Sequence, residues 1–382
     1  MIIDPPPRVA GLGTLFVGSE IYRGSSYGPA HPLRVPRVST VMDLSRALGW
    51  LPPDRFRSSP RAKPAALTLW HDPDYIAALQ AAEALAQTGQ EATPEMRARF
   101  HLGTLANPVF RQVFRRPATG AGGTMLAAEL LALDPGVIHV PGGGTHHGLP
   151  GRANGFCYLN DVVLAIKVLQ RAGLTRIAYV DLDAHHSDGV ELAFAGDPGV
   201  RMISVHEEGR WPFTGALADT GNGSAFNLPV PRGYNDSEAR AVLHGLILPR
   251  VDAFRPQALV LQCGADSLTE DPLSRLALSN RAYLEALDAL LPLAPRILVL
   301  GGGGYNPWTV GRLWTAIWGR ISGQSLPDRL PDAASAVLCG LGWGGGGRPP
   351  PDPSLLTTLL DGPREGPVRP EIRDRLALLA KR

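Results

Sequence analysis

The sequence predicts an α/β fold: a single domain with a mainly parallel β-sheet and helices on both faces. Three observations predict it. Short apolar runs without polar alternation suit strands buried on both faces. Stretches of helical length and pattern alternate with those runs. Clusters of Gly, His and Asp close several runs, and open parallel sheets carry their ligands at the carboxyl ends of the strands.

Along the chain, His71–Ala86 reads as a helix opened by the turn-forming HDPD. Val137–Val140 is the first clear strand, followed by a helix over Asp161–Arg171. Strands at Arg176–Val180 and Val200–Val205 come next, then a helix over Asp236–Phe254. Ala258–Gln262 and Ile297–Leu300 read as strands, each followed by a helix, Asn280–Leu291 and Trp308–Ile321 respectively. From about Ser325 the texture changes. GWGGGGRPPPDP (Gly342–Pro353) is too rich in Gly and Pro to continue a regular element. Pro370–Arg382 suits one amphipathic helix. Residues 1–325 are therefore expected to form the main domain, with 326–382 an appendage packed on it or trailing it. No repeat shows at periods of about 20–50 residues.

Of the 382 residues, 44% are hydrophobic and 19% charged, enough apolar material for a sizeable core. The 37 basic residues nearly balance the 35 acidic ones, leaving a net charge of +2. That balance provides no electrostatic footprint for nucleic acid or for a membrane surface. Cys157, Cys263 and Cys339 are too few and too scattered for a disulfide framework. The start, MIIDPPPRVAG, lacks the features of a secretory signal, and no apolar run approaches the ~20 residues needed to cross a bilayer. The expectation is a cytoplasmic protein with neither nucleic-acid nor membrane partners.

The densest polar stretch is Tyr179-Val-Asp-Leu-Asp-Ala-His-His-Ser-Asp-Gly189. Asp183 and His185 stand two apart where a strand gives way to a loop, so both side chains point to the same side. An aspartate oxygen and an imidazole nitrogen suit zinc or a similar divalent ion. Asp266, in LQCGADSL, ends another strand and is a candidate third ligand. Three protein ligands would leave a position open for water, as catalytic sites do. Taken alone, Asp266 reads better as a helix N-cap; the crowding of Asp181, Asp183, His185, His186 and Asp188 into eight residues favours the metal.

Pro141-Gly-Gly-Gly-Thr-His-His-Gly148 places His146 and His147 after a strand. Either could be an ordinary core histidine. Asp181 and Asp188 are the carboxylates able to orient them and raise their basicity. Leu300-Gly-Gly-Gly-Gly-Tyr305 lacks the lysine and spacing of a phosphate loop, so nucleotide binding is a poor reading. It could instead bring backbone close to a channel and aim the Tyr305 hydroxyl at a developing oxyanion. A buried tyrosine bonded to a carbonyl is the alternative.

GGGTHH, GFCYLND (Gly155–Asp161), DLDAHHSDG, LQCGADSL and LGGGGY stand in an order that resembles the histone deacetylase family. The likeness is greatest to its class I and bacterial acetoin-utilisation branch. It runs from about Gly18, through YGPAHPLRVPR (Tyr27–Arg37), to about Ile321. The resemblance implies the arginase/deacetylase fold and a zinc-dependent amidohydrolase, with ferrous iron as the alternative metal. Residue by residue, it implies that Asp183, His185 and Asp266 hold the metal. His146 and His147 would be the paired histidines, partnered by Asp181 and Asp188, with His147 the general base and then acid. Tyr305 would polarise the amide carbonyl. Phe156 and Trp211, with Gly155, Gly303 and Gly304, would line the acyl-lysine channel; the family usually has phenylalanine where Trp211 stands. Asp181, Asp183, His185, Ser204 and Val205 would hold a structural potassium ion, and Arg37 would line an exit for acetate.

The substrate so implied is an acylated lysine or a small acylated amine, such as an acetylpolyamine. Where relatives usually carry an acidic pair at the rim, this chain has Leu105 and Ala106. Glu207 and Glu208 could attract a cationic stem. A binuclear manganese ureohydrolase would need more carboxylates than GADSL supplies, and nothing favours a non-catalytic acyl-binding scaffold.

Overall fold

The structure is a computed structural model that describes residues 13–343 and 348–382. Eight strands form one sheet: β1 (Gly13–Gly18), β2 (Phe56–Ser58), β3 (Gly136–Val140), β4 (Ile177–Asp181), β5 (Val200–Glu207), β6 (Ala225–Val230), β7 (Ala258–Gln262) and β8 (Arg296–Leu300). Their order is β2-β1-β3-β8-β7-β4-β5-β6, and every neighbouring pair is parallel. The α/β class read from the sequence is the class observed. The five anticipated strands form the unbroken stretch β3-β8-β7-β4-β5. The three strands not anticipated are β1, β2 and β6, of which β2 and β6 are the two edges. Pro229 lies within β6, where an edge tolerates the missing N–H.

The strands carry apolar residues on both faces because both faces are covered. In β4, Ala178 and Val180 join the larger core, while Ile177 and Tyr179 join the core on the opposite face. Helices α1 (Val38–Ala47), α2 (Arg115–Leu133), α3 (Asp161–Arg171), α4 (Asn280–Leu290) and α5 (Pro307–Ile321) supply much of that cover. The helix expected over Asp236–Phe254 carries a π-type turn at Leu243–Ile247. The turn sits just before Pro249, whose ring and missing N–H disfavour an ordinary helical register there.

The C-terminal residues contribute to the larger core through buried Leu355, Leu359, Ile372 and Leu379. Buried Arg312 of α5 gives hydrogen bonds to Asp361 and to the Thr358 carbonyl. Part of the Gly-rich stretch, 344–347, lies outside the described residues. No helix among the described residues is long and apolar enough to cross a membrane.

Candidate active site

The four central strands, β3, β8, β7 and β4, end at the same edge, and the loops after them meet there. They carry His146 and His147, Gly303–Tyr305, Asp266, and Asp183 with His185. Asp183, His185 and Asp266 offer ligand atoms within 4.8 Å of one another, the one such cluster among the described residues. His185 Nδ1 lies 3.2 Å from Asp183 Oδ1 and 3.0 Å from Asp266 Oδ2. Burial opposes a charge on His185, but the two carboxylates outweigh it and push the imidazole up to about 10. The carboxylates themselves are driven apart. Burial and the Asp183 charge raise Asp266, whereas His146 and His185 overcome burial and hold Asp183 well below the usual range. Two buried carboxylates and an imidazole nitrogen converging on one point suit a divalent cation such as zinc.

Main-chain N–H groups fix these side chains. Asp183 Oδ2 accepts from Gly303 N at 2.6 Å, Asp266 Oδ1 from Ala184 N at 2.9 Å, and Asp181 Oδ1 from Asp183 N at 2.9 Å. Position 303 must be glycine, because a Cβ there would fall 2.0 Å from Asp266 Oδ2.

The histidines face each other, with Nε2 atoms 2.9 Å apart. On the outer side, His146 Nδ1 lies 2.7 Å from Asp181 and His147 Nδ1 lies 2.7 Å from Asp188. Burial opposes protonation of His146, but Asp181 and Asp183 prevail and raise it to about 9. Burial, reinforced by the charge on His146, pushes His147 down to about 4. The two carboxylates thus favour charge on His146, and burial beside that charge favours a neutral His147.

Several supporting residues were not singled out from the sequence. Tyr179 donates to Asp181 Oδ2 at 2.6 Å, and Asn154 donates to Asp188 Oδ2 at 3.0 Å. Asp161 accepts from Gly144 N and Thr145 N, and Asn160 donates to the His146 carbonyl, which together shape the histidine loop. The motif GFCYLND contained both, but neither was given a role there. Asp271 accepts from Tyr305 N at 2.6 Å.

The Tyr305 ring lines the same cavity as both histidines, and no described group takes a hydrogen bond from its hydroxyl. Burial raises this phenol well above its ordinary value, so it stays a donor. Phe156 stands edge-on to Tyr305 at 5.9 Å, and Trp211 edge-on to His147 at 4.7 Å. Gly155, at φ 53°, allows the Trp211 ring its place: a Cβ would sit 2.2 Å from it. Arg37 lines the inner cavity and donates to the Gly302 carbonyl at 2.7 Å and, weakly, toward that of Gly304. Its buried Nε has no partner among the described residues. Ser204 is the register partner of Asp181, while the Val205 side chain packs in the larger core.

At the rim, Leu105 is 99% exposed, and the Ala106 carbonyl faces His31 Nε2 at 3.2 Å. Glu207 and Glu208 do not offer free charge to a cationic stem. Glu207 is buried against Arg210 and the Arg275 N–H, and Glu208 pairs with Arg375 at 2.9 Å.

The histone deacetylase domain model matches residues 31–321. Histone deacetylase 9 of Arabidopsis thaliana is 35% identical over 317 residues, covering 81% of this chain and 73% of that protein. The acetoin utilization protein AcuC of Bacillus subtilis is 32% identical over 332 residues, 83% of this chain and 84% of its own length. The crystal structure of an HDAC homologue from Aquifex aeolicus superposes with a TM-score of 0.89 at 34% identity, covering 96% of this chain and 99% of that one. An HDAC homologue complexed with SAHA superposes with a TM-score of 0.87, also at 34% identity and with the same coverage. The chain belongs to the histone deacetylase family.

Proposed function

We propose that the protein is a zinc-dependent deacylase that hydrolyses acyl-lysine or small acylated amines. One observation carries the reading: the Asp183–His185–Asp266 cluster stands beside two carboxylate-backed histidines and a free tyrosine hydroxyl in one cavity. Asp183, His185 and Asp266 would hold the zinc, which would supply a water of lowered pKa, ~7, and Lewis acidity toward the amide carbonyl. His147 Nε2, with Nδ1 held by Asp188, would accept the proton of the attacking water. Asp181 keeps the His146 charge in place beside it. The Tyr305 hydroxyl donates to the oxyanion that develops as the carbonyl is attacked. His147 then returns its proton to the departing amine. Phe156 and Trp211 exclude water from the acyl stem, Arg37 attends the released acid, and the Asp181–Ser204 region, with Val205, holds potassium. Residues 1–325 form the catalytic unit and 326–382 its appendage. Buried, unpaired Cys157 and Cys263 suit a reducing cytoplasm.

The test is release of acetate from an Nε-acetyl-lysine peptide and from acetylated diamines. Hydrolysis should stop on chelation and return with zinc. Hydrolysis that continues in metal-free protein would sink the reading.

A further inference from the structure

A second cavity abuts the first, and the Tyr305 ring lines both. Arg34, Pro272, Leu273, Trp343 and Arg348 are among its other lining residues, around a space of about 350 Å³ that opens to solvent. Its charge is one-sided. Arg34 donates to two neutral acceptors, the Trp343 carbonyl at 2.6 Å and the Pro29 carbonyl at 2.9 Å. Arg348 lies over the Trp343 ring at 4.7 Å. Among the described residues neither guanidinium has a carboxylate partner. The acids nearby in sequence are already engaged: Glu270 by Arg364 at 2.6 Å, and Asp271 by the N–H groups of Tyr305 and Leu273. Other arginines toward the rim, Arg210 and Arg375, are matched by Glu207 and Glu208.

Two cations without a counterion in one pocket favour an anion, and a guanidinium fork matches a carboxylate. Pro272 and Leu273 supply an apolar floor beside them. With the scissile carbonyl at the Tyr305 hydroxyl, a stem leaving along the shared Tyr305 wall would come within reach of this pocket. We infer that the side pocket binds a carboxylate at the far end of that stem, so that the preferred substrates are acylated ω-amino acids, including acyl-lysine with a free carboxylate. The position of the carbonyl rests on the deacylase reading above. The cationic pocket replaces, as the recognition element, the rim acid that Leu105 and Ala106 leave out.

The experiment compares 6-acetamidohexanoate with 6-acetamidohexanamide, which differ only in the terminal charge. For the metal-loaded full chain, kcat/KM should favour the acid by about tenfold. High salt should erode that preference. The acid-to-amide ratio should fall toward one in Arg34→Gln and in exposed Arg348→Gln, through KM, and should largely survive in Arg348→Lys. Arg348→Gln remains informative if loss of Arg34 disturbs the loop. Calorimetric binding of the same pair to metal-free protein separates the two readings. Tighter binding of the acid, with no hydrolysis of either compound by the metal-loaded chain, would refute the deacylase reading alone. Equal binding and equal kcat/KM in the unmodified protein, or a preference that survives both Gln variants, would overturn the side-pocket assignment.

Discussion

At the floor of the cavity, Asp181, Asp183 and Asp266 each accept a main-chain N–H, and those donors belong to the loops that close β4 and β8. At the rim, Leu105 is 99% exposed, and Arg348 touches its surroundings chiefly through the face of Trp343. The floor inherits the rigidity of a fully buried parallel sheet. Rim side chains have few such restraints, so they can change with little effect on the fold. On the proposed deacylase reading, the reaction chemistry falls to the restrained floor and substrate choice to the less restrained rim.

The sharpest way to break that separation is at the floor. Asp266→Ala should remove bound metal and reduce hydrolysis to background. It leaves the Ala184 N–H without its partner, at a cost of about 1–3 kcal/mol, so the protein should still fold. Metal content, activity and a thermal melt check all three, and full metal occupancy would dismiss Asp266 as a ligand. Tyr305→Phe keeps the ring and removes the oxyanion donor. Turnover should fall ~10²–10³-fold with metal content unchanged; near-normal turnover would make Tyr305 a wall and nothing more.

Asp271→Ala probes a residue between the two regions, since it positions Tyr305 without facing substrate. Turnover should drop about tenfold, equivalent to ~1.4 kcal/mol in the barrier. If metal affinity fell instead, Asp271 would belong with the floor. The smallest effect is expected at the rim. Ala106→Asp should raise kcat/KM for acetyl-lysine peptides several-fold, because a charge-assisted hydrogen bond contributes roughly 1.5–3 kcal/mol before its geometric losses. Unchanged peptide kinetics would show that this loop does not meet the substrate.

Much of the floor was legible in the sequence because it is written in consecutive residues at strand ends. DLDAHHSDG holds two candidate ligands and both histidine partners within nine residues, and period-two geometry puts Asp183 and His185 on one side. The helix Arg115–Leu133 was not legible. Gly120, Gly122 and Gly123 disfavour a helix by intrinsic propensity, yet a Cβ at Gly122 would collide with the Pro60 carbonyl, at 2.1 Å. The glycines serve close packing, which local pattern does not reveal. β1 and β2 were missed for a related reason: short strands near a sheet margin carry little apolar signal.

The sequence by itself determined the alternation of strands and helices, and with it which polar residues stand at strand ends. Both follow from short-range periodicity and steric preference. Tertiary structure decided everything that joins distant segments. The order β3-β8-β7-β4 brings Asp266 to His185 and Gly303 to Asp183. Glu207 turned inward to Arg210 and the Arg275 N–H instead of facing the channel. Trp343 and Arg348, near the C-terminal end, came to lie beside Arg34 and Tyr305 near the mouth. A hydrogen bond between residues hundreds of positions apart depends on which strands become neighbours, and only burial of the whole core sets that order.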